Sequence, residues 1–192
     1  ESTLIGIISD LSSTSYKKVF EAEVNLLDTE TVDSDELVYK YFLKDPDPLI
    51  ANRLVPVLVR KNLKSLKEEL LDLVKNRYSN DRNAREIVLD TARKAVLGLA
   101  YIINKAEDIN VIFSLLGDYH LGYEALVTVQ MLYGFGIERD YIEKKLAGFN
   151  PGRNQVFSFI ELMFLSNNMV RAEKLINSGD FYARYNGLNL FL

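Results

Sequence analysis

Between Leu43 and Pro56 the chain reads Leu-Lys-Asp-Pro-Asp-Pro-Leu-Ile-Ala-Asn-Arg-Leu-Val-Pro, and this stretch constrains the fold most. An apolar helix end runs into an Asp/Pro turn, and a second amphipathic helix leaves it. Proline at a first helical position loses no hydrogen bond, and an aspartate before it accepts orphan amide protons. The segment therefore reads as one helical hairpin. Weaker copies recur at Asn80-Asp81-Arg82-Asn83-Ala84-Arg85, Gly117-Asp118-Tyr119-His120-Leu121, Phe149-Asn150-Pro151-Gly152-Arg153 and Ser178-Gly179-Asp180-Phe181-Tyr182-Ala183-Arg184. Recurrence every 30 to 40 residues or so is the signature of a helical solenoid, in which each unit buries its apolar face against its neighbours.

The segments between the turns carry helical periodicity. Helices are expected over Leu4–Ile8, where the β-branched residues leave a strand as the alternative, Tyr16 to about Leu27, Ser34 to Phe42, Pro48 to about Arg60, Leu63 to Tyr78 and Asp81 to about Asn104. Six more cover Ala106–Leu116, Gly122–Tyr133, Glu138–Ala147, Pro151–Leu165, Asn168–Ile176 and Phe181 onward, about twelve helices in about six hairpins. In the second helix Val19, Phe20, Ala22, Glu23, Leu26 and Leu27 form the expected apolar stripe, with Ser12 to Ser15 supplying its cap. Asp81 is expected to cap the long helix after it, and Pro56 to kink the helix that contains it. Gly134, Gly136, Gly148 and Gly179 follow apolar runs, where helices stop in the left-handed conformation.

Several turns resemble those of HEAT-type helical repeats, in which an Asp-Pro turn is followed, a few residues on, by an apolar residue and an arginine. Asp81 with Ala84-Arg85 and Asp180 with Ala183-Arg184 match best. Asp45-Pro46-Asp47-Pro48 has the turn, but Ala51 stands at the arginine position and Arg53 comes two residues late. Gly122 stands at that position after Asp118, and the turn near Pro151 lacks the aspartate. Armadillo-like and other two-helix repeats share the pattern. The resemblance implies an all-α, right-handed α-solenoid of about six hairpins filling residues 1–192 as a single repeat domain, with a concave surface that binds a protein partner. Candidate contacts on the inner helices are Arg53, Arg60, Arg93, Tyr123, Gln130, Arg153, Asn154 and Arg184.

Composition narrows the function. The 192 residues are 48% hydrophobic and 26% charged, enough apolar content for an ordered core. With Lys+Arg 23 against Asp+Glu 27 the net charge is -4, which argues against nucleic acid as the default partner. Some HEAT-like proteins act as DNA glycosylases, so the resemblance also admits a nucleic-acid reading. A structural segment of a larger scaffold is a third. Cysteine is absent, which removes disulfides, thiolate metal sites and cysteine nucleophiles. His120 is the lone histidine, and in Asp118-Tyr119-His120 it reads as a helix-start residue rather than a catalyst. The acidic groups Asp33, Asp35, Glu36 and Glu68, Glu69, Asp72 read as helix-start or solvated charges. The expectation is a non-enzymatic protein without cofactor or metal. No apolar run approaches the roughly 18 to 20 residues of a membrane span.

Two expectations concern the ends. The chain starts at Glu1 without a basic-then-apolar signal segment, which reads as a processed product or a piece of a longer protein; a cytoplasmic location is expected. At the other end Leu188, Phe191 and Leu192 arrive at helical spacing with nothing to cover them, which predicts either that the chain is cut from a longer protein or that it associates through the C-terminal apolar helix.

Overall fold

In a computed structural model of the chain, residues 3–76, 78–79, 81–148 and 177 are described. The hairpins expected beyond Phe149, together with Arg153, Asn154, Arg184 and the apolar C-terminal helix, lie outside the described residues. The described residues form nine α-helices without a strand: α1 (Leu4–Ser9), α2 (Tyr16–Asp28), α3 (Asp33–Phe42), α4 (Pro48–Arg60), α5 (Lys67–Lys75), α6 (Arg85–Ile102), α7 (Ala106–Leu115), α8 (Gly122–Gly134) and α9 (Arg139–Gly148). The all-α expectation is met, and among the described residues no helix is long and apolar enough to cross a membrane. The chain divides into two compact units, Glu1–Ile103 and Asn104–Leu192.

Helix starts follow local chemistry. Thr3 Oγ1 accepts the Gly6 amide at 3.3 Å and opens α1. The Asp35 carboxylate accepts the Val32 amide at 3.1 Å at the start of α3. In the Asp/Pro turn, Asp45 Oδ1 accepts the Asp47 amide at 2.8 Å, Asp47 Oδ1 accepts the Leu49 amide at 3.0 Å, and Pro48 takes the first helical position. Other boundaries depart from expectation. Ser15 precedes α2 but makes no side-chain cap bond. The segment after Leu63 begins as a 3-10 turn, Lys64–Leu66, so α5 is shorter than its apolar pattern. Asp81 Oδ1 accepts the Asn83 amide at 2.9 Å and closes a turn, leaving Ala84 to precede α6.

In the first unit α4 is central. Ile50, Ala51, Leu54, Val55, Val57 and Leu58 are all buried, so apolar contact is needed on most of its circumference. Its most extensive packing is with α6, and it also meets α1 and α2. Its chain neighbour across the Asp/Pro turn, α3, packs instead on α1 and the 3-10 turn, and a 3.5 Å Lys40–Glu69 ion pair links it to α5. Thus the expected hairpin turn forms, but the principal partner of α4 is two helices further along. Gly98 makes the approach possible: a Cβ there would lie 2.3 Å from Val59 Cγ2, far inside van der Waals contact.

A polar cluster with Asn52 and Thr91 buried and Lys94 and Asp90 half-exposed lies in the same interface. Pro56 has no amide hydrogen, so the Asn52 carbonyl four residues earlier loses its helical donor. Lys94 Nζ on α6 reaches that carbonyl at 3.4 Å and Asn52 Oδ1 at 2.8 Å. Asn52 Nδ2 donates to Asp90 Oδ2 at 2.8 Å and Thr91 Oγ1 at 3.1 Å, and Thr91 Oγ1 donates to the Ile87 carbonyl at 2.7 Å. Lys94 and Asp90 pair at 2.9 Å. Burial raises the Asp90 pKa, but hydrogen bonds from Asn52 and Lys94 and the charges of Lys94 and Arg93 outweigh it, so the net direction is downward.

Two outcomes follow from this cluster. Lys94→Met is expected to destabilise the chain by about 1–3 kcal/mol. Pro56→Ala restores an amide donor to Asn52, so in that background the loss should shrink by about 0.5–1 kcal/mol; urea midpoints of the four members of the cycle measure this. A lowered native pKa means that the ionised Asp90 stabilises the fold above the ordinary aspartate value of 3.8, and that this contribution is lost as pH falls through the native value. Asp90→Asn should therefore cost about 0.5–1 kcal/mol at neutral pH, with the gap to the parent closing below that value in urea titrations.

Candidate functional site

The buried side of α2 is made by Val19, Ala22 and Leu26, the i, i+3, i+7 pattern of a core-facing helix. A second apolar line runs beside it. Tyr16, Phe20 and Val24, four residues apart, are 85%, 56% and 37% exposed. Phe20, expected in the buried stripe, belongs to this outer line instead. Isolated exposed apolar residues are ordinary, but a row of them on one helix is an association feature.

The row borders a cavity of about 300 Å³ lined by Ser13, Thr14, Tyr16, Val19, Phe20, Glu23 and Arg53. Its rim is fixed by hydrogen bonds. Ser13 Oγ accepts the Ser15 amide at 3.1 Å and shapes the turn before α2. Arg53 Nη1 donates to the Leu11 carbonyl and, at 3.1 Å, to the Ser13 carbonyl. Eight residues further along, just past the end of α4 and about 12 Å on at 1.5 Å per residue, Lys61 Nζ donates to the Leu26 carbonyl at 2.8 Å and the Thr29 carbonyl at 2.5 Å. Helix α4 therefore holds the turn before α2 and the end of α2. With both ends held and Val19, Ala22 and Leu26 facing inward, Tyr16, Phe20 and Val24 remain outside. The cavity offers ring faces and an aliphatic wall beside one guanidinium and one carboxylate. That combination suits an amphipathic side chain of a polypeptide.

The residues expected to contact a partner are spread over both units. Arg53 lines the cavity, and its Nη1 group is committed to backbone carbonyls. Arg60 lies exposed at the end of α4. Arg93 on α6 is half-buried and contributes its charge to Asp90. In the second unit Tyr123 is 72% exposed on α8, one turn from Tyr119 at 91%, whereas Gln130 is half-buried. Asp118 Oδ1 accepts the His120 and Leu121 amides at 2.9 and 3.1 Å, which places His120 in the turn that opens α8. Among the described residues no group of three or more His, Asp and Glu is arranged to hold a metal ion. Tyr16, Phe20 and Val24 escaped the sequence reading. Their signal was present as a second i, i+4, i+8 series beside the buried one, making α2 apolar over more of its circumference than one interface requires.

Arg53→Ala removes the two charge-assisted bonds that hold the turn at Leu11 and Ser13. The expected loss is about 1.5–3 kcal/mol, measured by urea unfolding. Arg53→Lys should recover only part of it, because an ammonium cannot reproduce the planar fork.

No family model matches the chain, and no curated protein matches its sequence.

Proposed function

We propose that this chain is a non-enzymatic helical scaffold that binds a protein segment, with the cleft along α2 as its contact surface in the first unit. The observation that carries this reading is the exposed Tyr16–Phe20–Val24 row beside a cavity that contains Arg53. Rigid aromatic rings next to an ordered arginine are the residue types that concentrate binding energy at protein interfaces. Tyr119 and Tyr123 make a comparable exposed pair in the second unit. The finer architecture we propose is a right-handed stack of HEAT- or armadillo-like hairpins. Its support is the turn chemistry at Asp45-Pro46-Asp47-Pro48 and the recurrence of related turns along the sequence.

A displayed library of random peptides selected against the purified chain tests the function. Enriched peptides should lose at least about tenfold in affinity, roughly 1.4 kcal/mol, when Tyr16→Ala and Phe20→Ala are combined. They should keep their affinity for Tyr78→Ala, which alters another exposed aromatic residue. Selection without enrichment, or enriched peptides indifferent to the α2 substitutions, would overturn the proposal.

A further inference from the structure

The charges on α2 run against its own dipole. Lys17 and Lys18 occupy the first turn, where partial positive charge accumulates, no acidic residue stands there, and no basic residue stands in the last turn. Lys17 pairs with Glu21 at 3.7 Å, but with side chains 84% and 56% exposed and the lysine N-terminal to the glutamate. Such a pair is weak in water and has the less favourable helical order. At the far end of α2, Lys61 at the end of α4 supplies the missing cation; among the described residues nothing comparable serves the first turn. A local rule is broken without a gain inside the unit, and the break sits beside the exposed apolar row. Such breaks are expected where a surface answers to something outside the fold.

We propose that the α2 row is a self-association surface and that its occupant is α2 of a second copy, packed antiparallel about a two-fold axis near Phe20. This rests on the protein-binding reading and names the partner of the same site. In a two-fold contact every pairing away from the axis occurs twice. Phe20, on the axis, meets Phe20 of the second copy once, Tyr16 meets Val24 of the second copy twice, and on the flank that carries both charges Lys17 lies beside Glu21 of the second copy. The order of charges that opposes the dipole is therefore complementary to itself when the helix is reversed. Two aromatic side chains per copy at roughly 150–250 Å² each when fully covered, with Val24 and the charged stems, give a total on the order of 1,000 Å². That is the low end for specific association, so the dimer is reversible, with a Kd on the order of 10–100 μM.

Charge reversal distinguishes this arrangement from nonspecific stickiness. In sedimentation velocity from about 1 to 500 μM, a range that brackets such a Kd, the parent chain should move from the 21.9 kDa monomer toward the dimer. Phe20→Ala should abolish the change. Lys17→Glu and Glu21→Lys should each weaken self-association at least about tenfold, since each sets like charges together on both symmetric flanks. An equimolar mixture of the two variants should associate again, because each supplies the sign the other lacks. Far-UV circular dichroism and urea midpoints confirm that the variants fold. A parent that stays monomeric across the range, or a mixture no stronger than its components, overturns the second-copy proposal. Peptides that still bind in a Phe20-dependent way would then leave the broader protein-binding reading standing.

Discussion

Pro56 leaves the Asn52 carbonyl without its helical donor, and the arrangement of the first unit follows from how that group is satisfied. An unpaired carbonyl in a buried helix is costly, and the side chain that reaches it, Lys94, comes from 42 residues away. Lys94 can reach only if α6 lies along α4. The approach in turn requires a residue without Cβ at Gly98, where Val59 presses in. Asn52 and Asp90 share the ammonium, and Asn52 Nδ2 donates to both Asp90 and Thr91, so the polar cluster fixes the register that the surrounding valines, leucines and alanines then fill. Apolar packing supplies most of the burial, while the cluster selects which apolar packing forms.

The position of α4 determines that of α2. Arg53 on α4 and Lys61 just past its end project onto backbone carbonyls at residues 11 and 13 and at residues 26 and 29, groups that helix or turn ends leave without partners. Holding α2 in this way commits Val19, Ala22 and Leu26 to the interior and leaves its other apolar line in solvent. The candidate binding surface is thus a consequence of the core arrangement rather than an addition to it.

Much of the helical content was legible because it is local. A cap at Asp47, helix-start charge at Asp35, proline at a first helical position and 3.6-residue periodicity placed α2, α3, α4, α7, α8 and α9 close to their observed ranges. The pairing of helices was not legible. Adjacency in sequence suggested that α4 would pack on α3, whereas an orphan carbonyl, a glycine and a lysine in distant segments join it to α6. The same distance hid the role of Arg53, read as a partner contact because it lies on an inner helix, although part of its guanidinium holds a turn. Phe20 was misassigned for a different reason. Two apolar lines roughly 130° apart on one helix at 3.6 residues per turn read as one broad apolar face when only periodicity is considered, and the exposed line becomes distinct only once the location of the core is known.

The second unit applies the same cation chemistry over short range. Arg139 Nε donates to the Tyr133 carbonyl at 2.8 Å and Nη2 to the Gly134 carbonyl at 3.4 Å, at the end of α8. Its guanidinium also lies 5.2 Å from the Tyr133 ring centroid, while Tyr133 Oη donates to Glu143 Oε1 at 2.8 Å. This hydrogen bond to a carboxylate holds the Tyr133 phenol above its ordinary pKa. Gly136, at φ 78°, lets the chain reverse between α8 and α9 where a side chain would be strained. Every tie in that group joins residues within 10 positions of one another, so the turn can organise without the rest of the chain. In the first unit the corresponding cations act across 32 to 42 positions, and the carbonyls they serve have no such partner until α4, α2 and α6 have assembled. Basic side chains there are components of the core architecture. The charges available for recognition are those that the architecture leaves unused, of which Lys17 and Glu21 on α2 are the pair placed beside exposed aromatic surface.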